Sequence, residues 1–238
     1  MPHRQPMKLI GIVGGLSWEA TALYYRLLNE AAARVLGAHH NARSVIVSVD
    51  FAEALALANQ GDWDGLGTLL IDAARRACAA GAEMVLLGAN TAHIVADQVA
   101  AAIDVPLLHV ADVAGTAAQA QGFRHVGLIG TRFTLESPIY AERLRDRFAL
   151  TVSTPDAASR DELQRIIIDE LTMGRIEPSS RQNCVAIIEQ LRERGADAIM
   201  VACTELPLLL RPGDSALPLL DTTTLHAEAA LRLALDGA

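Results

Sequence analysis

The chain is predicted to be an α/β protein of two similar domains, each a parallel sheet covered by helices. Three observations lead there. Short apolar runs alternate with helical patterns along the 238 residues, the rhythm of right-handed strand-helix-strand crossovers. The composition is 51% hydrophobic and 20% charged, which suits sheets buried on both faces. The sequence also repeats itself: Gly81-Ala82-Glu83-Met84-Val85-Leu86-Leu87-Gly88-Ala89-Asn90-Thr91 aligns with Gly195-Ala196-Asp197-Ala198-Ile199-Met200-Val201-Ala202-Cys203-Thr204-Glu205, an offset of 114 residues. Gly11-Ile12-Val13-Gly14-Gly15 matches Gly127-Leu128-Ile129-Gly130-Thr131, and Val105-Pro106-Leu107-Leu108 matches Leu217-Pro218-Leu219-Leu220, in the same order. The repeat implies two halves of about 110 residues; the expected division is an N-terminal domain of 7–112 plus 221–238 and a C-terminal domain of 113–220, and if the halves face each other across a pseudo-twofold, Ala89 and Cys203 flank one cleft.

In chain order, 8–13 is an apolar run closed by Gly14-Gly15, after which Ser17 is placed to cap a helix reaching about residue 36. Strands are expected at 44–49, 84–87 and 106–110, with helices at 63–80, ended by Gly81, and after Asn90 as far as 102. The second half repeats the rhythm with strands at 126–129, 150–153 and 198–201 and helices at 137–147, 161–171 and 179–194. Ligands of such sheets sit beyond the carboxyl ends of the strands. Gly14-Gly15, Ala89-Asn90-Thr91, Gly130-Thr131 and Cys203-Thr204-Glu205 all fall there.

Composition excludes several classes. A net charge of −8 without a Lys/Arg cluster offers no footprint for nucleic acid. No apolar run reaches the roughly 18 residues of a membrane span, and the polar start carries no signal-peptide apolar stretch. Three scattered cysteines make neither a disulfide framework nor a zinc site. The expectation is a cytoplasmic protein with no metal and no membrane or nucleic-acid partner.

Cys203 is the leading chemical group, because backbone N–H groups at a strand-to-helix turn stabilise a thiolate. The competing reading is a small core residue, which suits Cys78 and Cys184 better, since both lie in helical patterns. Asn90-Thr91 and Thr204-Glu205 offer groups for holding a small carboxylate, though Thr91 and Thr204 could equally be helix caps. Gly14-Gly15 lacks the spacing of a dinucleotide loop. His93, His109 and His226 lie near strand ends without metal-ligand spacing, and His226 is the best candidate for a supporting role.

Taken together, Gly14-Gly15-Leu16-Ser17-Trp18-Glu19, Asn90-Thr91-Ala92-His93, Cys203-Thr204-Glu205-Leu206-Pro207-Leu208-Leu209 and Asp221-Thr222-Thr223-Thr224-Leu225-His226-Ala227 resemble the aspartate/glutamate racemase family, nearest to its broad-specificity and L-specific branches. Ser48-Val49-Asp50-Phe51 and Gly130-Thr131-Arg132-Phe133-Thr134 support the match, which runs from Met7 over almost the whole chain. The resemblance implies a cofactor-independent amino-acid racemase, dimeric like many relatives, in which two cysteines on opposite sides of the substrate Cα remove and return the α-proton. It implies that Leu16, Ser17, Asn90, Thr91, Ala92, Thr131, Thr134, Thr204 and Glu205 bind substrate, that Asp50 and His226 support them, and that the substrate is aspartate or glutamate.

Two departures qualify it. Ala89 stands where the family has Cys, or Thr in the L-specific branch, and a methyl group moves no proton. The segments expected to hold a side-chain carboxylate, 50–61 and 170–174, contain no Lys or Arg, leaving Arg132 and Arg175 as substitutes. Besides racemisation with Cys203 as the remaining acid/base, the residues therefore allow a single-cysteine decarboxylase or isomerase of a small dicarboxylate. They also allow a catalytically disabled protein that binds small carboxylates.

Overall fold

The computed structural model describes residues 7–211 and 213–236. Contacts divide the chain into a unit of Met1–His109 with His226–Ala238 and a unit of Val110–Leu225. The first unit carries β1 (Ile10–Gly14), β2 (Ser44–Ser48), β3 (Met84–Leu87) and β4 (Leu107–Leu108), all parallel in the order β2-β1-β3-β4. The second carries β5 (His125–Gly130), β6 (Thr151–Ser153), β7 (Ala198–Ala202) and β8 (Leu219–Asp221), parallel in the order β6-β5-β7-β8. The two orders are the same pattern, so the repetition in the sequence is matched by repetition of topology.

Helices cover both faces of the first sheet, and its central strands sort their side chains by the two-residue period of a strand. Ile10, Ile12, Met84 and Leu86 face one way, towards Tyr24, Leu28, Ala31 and Ala32 of α1 (Trp18–Leu36) and Ala227, Ala230, Leu231 and Ala234 of α11 (Thr222–Leu235). Val13, Val85 and Leu87 face the other way, into Leu66, Leu70, Ala73 and Ala74 of α3 (Trp63–Ala79) and Val95 and Val99 around α4 (Ala96–Ala101). α2 (Phe51–Gln60) begins directly after β2, capped by Asp50, whose carboxylate accepts from Ala52 N. The second unit has one core around β5 and β7, which draws on α5 (Val110–Ala120), α7 (Pro138–Phe148), α8 (Ala157–Arg165) and α9 (Pro178–Glu193). Short helices α6 (Arg132–Glu136) and α10 (Leu206–Leu209) follow β5 and β7. Among the described residues no helix is long and apolar enough to cross a membrane.

Four expectations are corrected. The strand at 106–110 is only Leu107–Leu108, because Val110 opens α5 instead of closing a strand. The helix after Asn90 starts as a 3-10 turn, Thr91–Val95, before becoming α4. The helix at 161–171 breaks at Arg165 into a π turn, Ile166–Glu170, and a 3-10 turn, Leu171–Met173. α2 and α11 were not expected as separate helices.

Candidate functional site

The turn after β1 is held under strain. Gly15 sits at φ +80, where an added Cβ would lie 2.1 Å from the Val49 carbonyl oxygen, so only glycine fits. Ser17 is buried at φ 70, ψ 154, a region that costs a non-glycine residue on the order of 1–3 kcal/mol. Its hydroxyl offsets part of that cost by accepting from Ala20 N at 3.1 Å, which caps α1. Thr21 closes the turn: its hydroxyl donates to Ser17 O at 2.9 Å and accepts from Gly15 N at 2.8 Å. Leu16 is half-buried between them.

The turn after β3 places Ala89 half-buried and Asn90 and Ala92 buried, with Thr91 opening the 3-10 turn. Asn90 does not cap that turn with its side chain. His93 Nδ1 donates to the Ala89 carbonyl at 2.9 Å; because a carbonyl only accepts, the proton is on Nδ1 and Nε2 keeps its lone pair. The His93 ring meets the His109 ring edge-on at 4.7 Å and the His226 ring at 5.5 Å. His226 is fully buried: Nε2–H donates to Leu108 O at 2.9 Å, so Nδ1 must accept from the Tyr24 hydroxyl at 2.9 Å. Burial, then the neighbouring His93, lowers the His226 pKa to about 3. Burial and His109 likewise hold His93 well below the usual imidazole range. Both rings are neutral braces at physiological pH.

The turn after β7 holds Cys203, 3% exposed, followed by buried Thr204 and Glu205. The Cys203 thiol donates to Glu205 Oε2 at 3.3 Å, and the Thr204 hydroxyl donates to the same oxygen at 2.6 Å. Burial, then the Glu205 charge, raises the Cys203 pKa well above the ordinary thiol value, against the lowering effect of hydrogen bonds from the Glu205 and Leu206 amides. Cys203 is therefore a protonated thiol directed at the Glu205 carboxylate. Thr204 does not act as a cap, since its hydroxyl is committed to Glu205. The sequence singled out Glu205 as a substrate holder; its carboxylate lies against the Cys203 thiol.

The remaining expected residues are held by local partners. Thr131 caps α6 and shares a 3.2 Å hydroxyl contact with buried Thr134. Arg132 is ion-paired to Asp161 at 2.5 Å, and the Arg175 guanidinium donates to the Asp169 carbonyl. Asp50 is exposed in its capping role. Cys184 is buried in α9, and burial followed by Glu162 and Glu170 pushes its pKa up to about 12. Cys78 is half-buried in α3. Sequence reasoning missed Tyr24, although its place on the buried side of α1 signalled a hydroxyl needing a buried partner.

The profile of the Asp/Glu/hydantoin racemases matches residues 13–230. The chain belongs to this family. The racemase fold recurs in a crystal structure of a candidate Asp/Glu racemase from Yersinia pestis, 41% identical, with 96% of this chain and 100% of that one covered at a TM-score of 0.90. It recurs in an aspartate racemase homologue from Pyrococcus horikoshii, 31% identical over 96% of this chain and 99% of that one, with a TM-score of 0.84. The broad specificity amino-acid racemase RacX of Bacillus subtilis is 23% identical over 93% of this chain and 96% of its own length. Ala89, Asn90 and Thr91 follow β3, and Cys203, Thr204 and Glu205 follow β7, the corresponding strand of the second unit.

Proposed function

We propose that this chain is an amino-acid racemase working without a cofactor, with Cys203 as its one thiol acid and base. The observation that carries the reading is the buried Cys203 thiol hydrogen-bonded to Glu205. To act as base, Sγ passes its proton to Glu205 Oε2, and the thiolate then removes the proton from the substrate Cα. The electron pair left on Cα spreads into the substrate carboxylate. Asn90, Thr91 and Thr204 are the proposed groups that hold that carboxylate and stabilise the added charge. Reversal through Cys203 returns the proton to the same face and regenerates the starting enantiomer; inversion requires a water on the opposite face to give a proton to Cα, the hydroxide left behind being neutralised by the proton parked on Glu205. Aspartate and glutamate, which the resemblance implies, are the first substrates to test.

Ala89 bears on the outcome, because its methyl group cannot serve the opposite face. Proton exchange is therefore expected to favour one enantiomer, with net racemisation slower than exchange. The test is α-proton exchange in deuterium oxide, followed by NMR, for both enantiomers of several amino acids with the unaltered chain and with Cys203→Ala. Enantiomer-selective exchange that disappears in Cys203→Ala supports the reading. Exchange that survives the substitution removes Cys203 from the chemistry.

A second reading is favoured by the same missing partner at Ala89. A lone thiol suffices to protonate a carbanion left when carbon dioxide departs, so a small dicarboxylate would be decarboxylated. Carbon dioxide release from malonates without exchange of any amino acid would select it. Ligand stabilisation with neither chemistry would select a binding protein.

A further inference from the structure

We propose that Arg160 is the cation that receives the side-chain carboxylate of an acidic amino-acid substrate; the proposal rests on the racemase reading above and assigns a specificity residue to that same site. A side-chain carboxylate taken out of water needs a cation or a full set of donors to offset its lost hydration. The two arginines that the sequence offered for this task are committed, Arg132 to Asp161 and Arg175 to the Asp169 carbonyl. Arg160, which the sequence did not single out, is held far more weakly.

Arg160 stands in the first turn of α8 with its side chain 27% exposed, and its Nε is buried without a hydrogen-bond partner. Its ion pair with the half-exposed Glu136 spans 3.6 Å, outside hydrogen-bond distance. Glu136 therefore balances the charge without taking a hydrogen bond from Nε. A guanidinium presents five donors in a planar fork that matches a carboxylate, and a buried donor without a partner is a cost that a bound acceptor removes. An incoming carboxylate displaces a loose ion pair and not a hydrogen-bonded one.

The second sheet places this cation near the thiol. Its order β6-β5-β7-β8 sets β5 between the strand that leads into α8 and the strand that ends before Cys203. Gly130 pairs with Ala202, so Thr131 and Cys203 leave the sheet edge side by side. α8 packs against α6, which Thr131 caps: Gln164, one turn on from Arg160, accepts from Arg132 N at 2.8 Å, and Arg160 faces Glu136 at the end of α6. Neighbouring strands lie about 4.8 Å apart, which separates the ends of β6 and β7 by roughly 10 Å. A dicarboxylic amino acid at Cys203 and an arginine side chain extended from α8 span that gap together, past the Thr131 and Thr134 hydroxyls. All of these residues belong to the one unit Val110–Leu225.

The test measures α-proton exchange of glutamate and aspartate and of their neutral isosteres glutamine and asparagine, with the unaltered chain, Arg160→Gln, Arg160→Lys and Glu136→Gln. The unaltered chain should favour each acid over its amide. Arg160→Gln should lower kcat/KM for the acids at least about tenfold, the size of one lost hydrogen bond to a charged group. The loss should fall on KM with kcat nearly kept, since the contact is the same before and during proton transfer, and the amides should be unaffected. Arg160→Lys keeps the charge and should recover part of the loss, while Glu136→Gln should lower KM for the acids. Amides preferred by the unaltered chain, equal losses for acids and amides in Arg160→Gln, or no loss at all each overturn the proposal. If no amino acid exchanges, the racemase reading falls and calorimetry decides. Glutamate bound by the unaltered chain and at least about tenfold more weakly by Arg160→Gln sustains the carboxylate subsite; absent binding, or binding indifferent to Arg160, overturns it.

Discussion

Cys203 and Glu205 share one hydrogen bond, and removing the carboxylate separates their roles. Glu205→Gln keeps the size of the side chain but cannot accept the thiol proton as a base. Exchange at neutral pH should fall by about 10²-fold, the low end of general-base contributions, with substrate affinity nearly unchanged. Because the Glu205 charge raises the Cys203 pKa, the residual exchange should also rise with pH from a lower starting value than in the unaltered protein. A pH–rate profile of both proteins checks this. His226 titrates in the opposite sense. Its folded pKa is lowered to about 3 from 6.5, so its contribution to stability is complete above about pH 6.5 and lost as pH falls towards 3. The shift corresponds to about 5 kcal/mol. His226→Gln keeps a donor for Leu108 O and an acceptor for Tyr24, so its unfolding free energy should decline less steeply across that window in urea titrations. Cys203 was legible in the sequence because a repeated strand end put a thiol opposite Ala89. The thiol contact with Glu205 was not, because the direction of two adjacent side chains in a turn depends on torsions that residue identity leaves open.

At the level of elements, the start of α1 joins a cap to a strained backbone, and substitutions at Ser17 pull the two apart. Ser17→Gly should hold or raise stability, since relief of φ 70 is worth about 1–3 kcal/mol and glycine is a tolerable cap. Ser17→Ala keeps the strain and loses the hydroxyl, costing about 1 kcal/mol. Thermal melts of the two variants should move in different directions; a common direction would show that strain at this turn is not stored. Most strands were legible as short apolar runs, those of β1, β3 and β5 closed by glycine. Val110 misled because a β-branched residue looked like a strand end, while its role as the first residue of α5 is set by core packing. The π turn was hidden inside the regular run Ile166-Ile167-Ile168, and its cause is tertiary. Arg165 reaches Glu170 five residues on, at 2.5 Å, and Ser180 secures the other carboxylate oxygen at 2.6 Å, a spacing that matches a widened i→i+5 turn.

Across the whole molecule, duplication was visible in sequence because the two sheets share one strand order. The division of contacts falls inside α11, after Leu225, a place no local composition marks. The first unit's core needs that helix: Ala227, Ala230, Leu231 and Ala234 pack with Ile10, Tyr24 and Leu28. Burial is worth roughly 1.5–3 kcal/mol for Leu231 and about 0.8 kcal/mol for each alanine methyl, together a large share of the 5–15 kcal/mol that holds a typical domain. A chain ending at Leu225 should therefore lose hydrogen-exchange protection in β1 and β3 and keep it in β5 and β7. Equal loss in both sheets would contradict this partition.

That dependence of β1 on α11 orders events on the ribosome. Residues 110–225 are continuous, so the second unit has its complete core sequence as soon as it leaves the exit tunnel. The first unit, although synthesised earlier, lacks one wall until the last turns of α11 emerge, and until then Ile10, Ile12 and Leu28 are open to chaperones. The second unit draws its core from one unbroken segment, whereas the first unit cannot close its core until the last turns of α11 are also free to return to it.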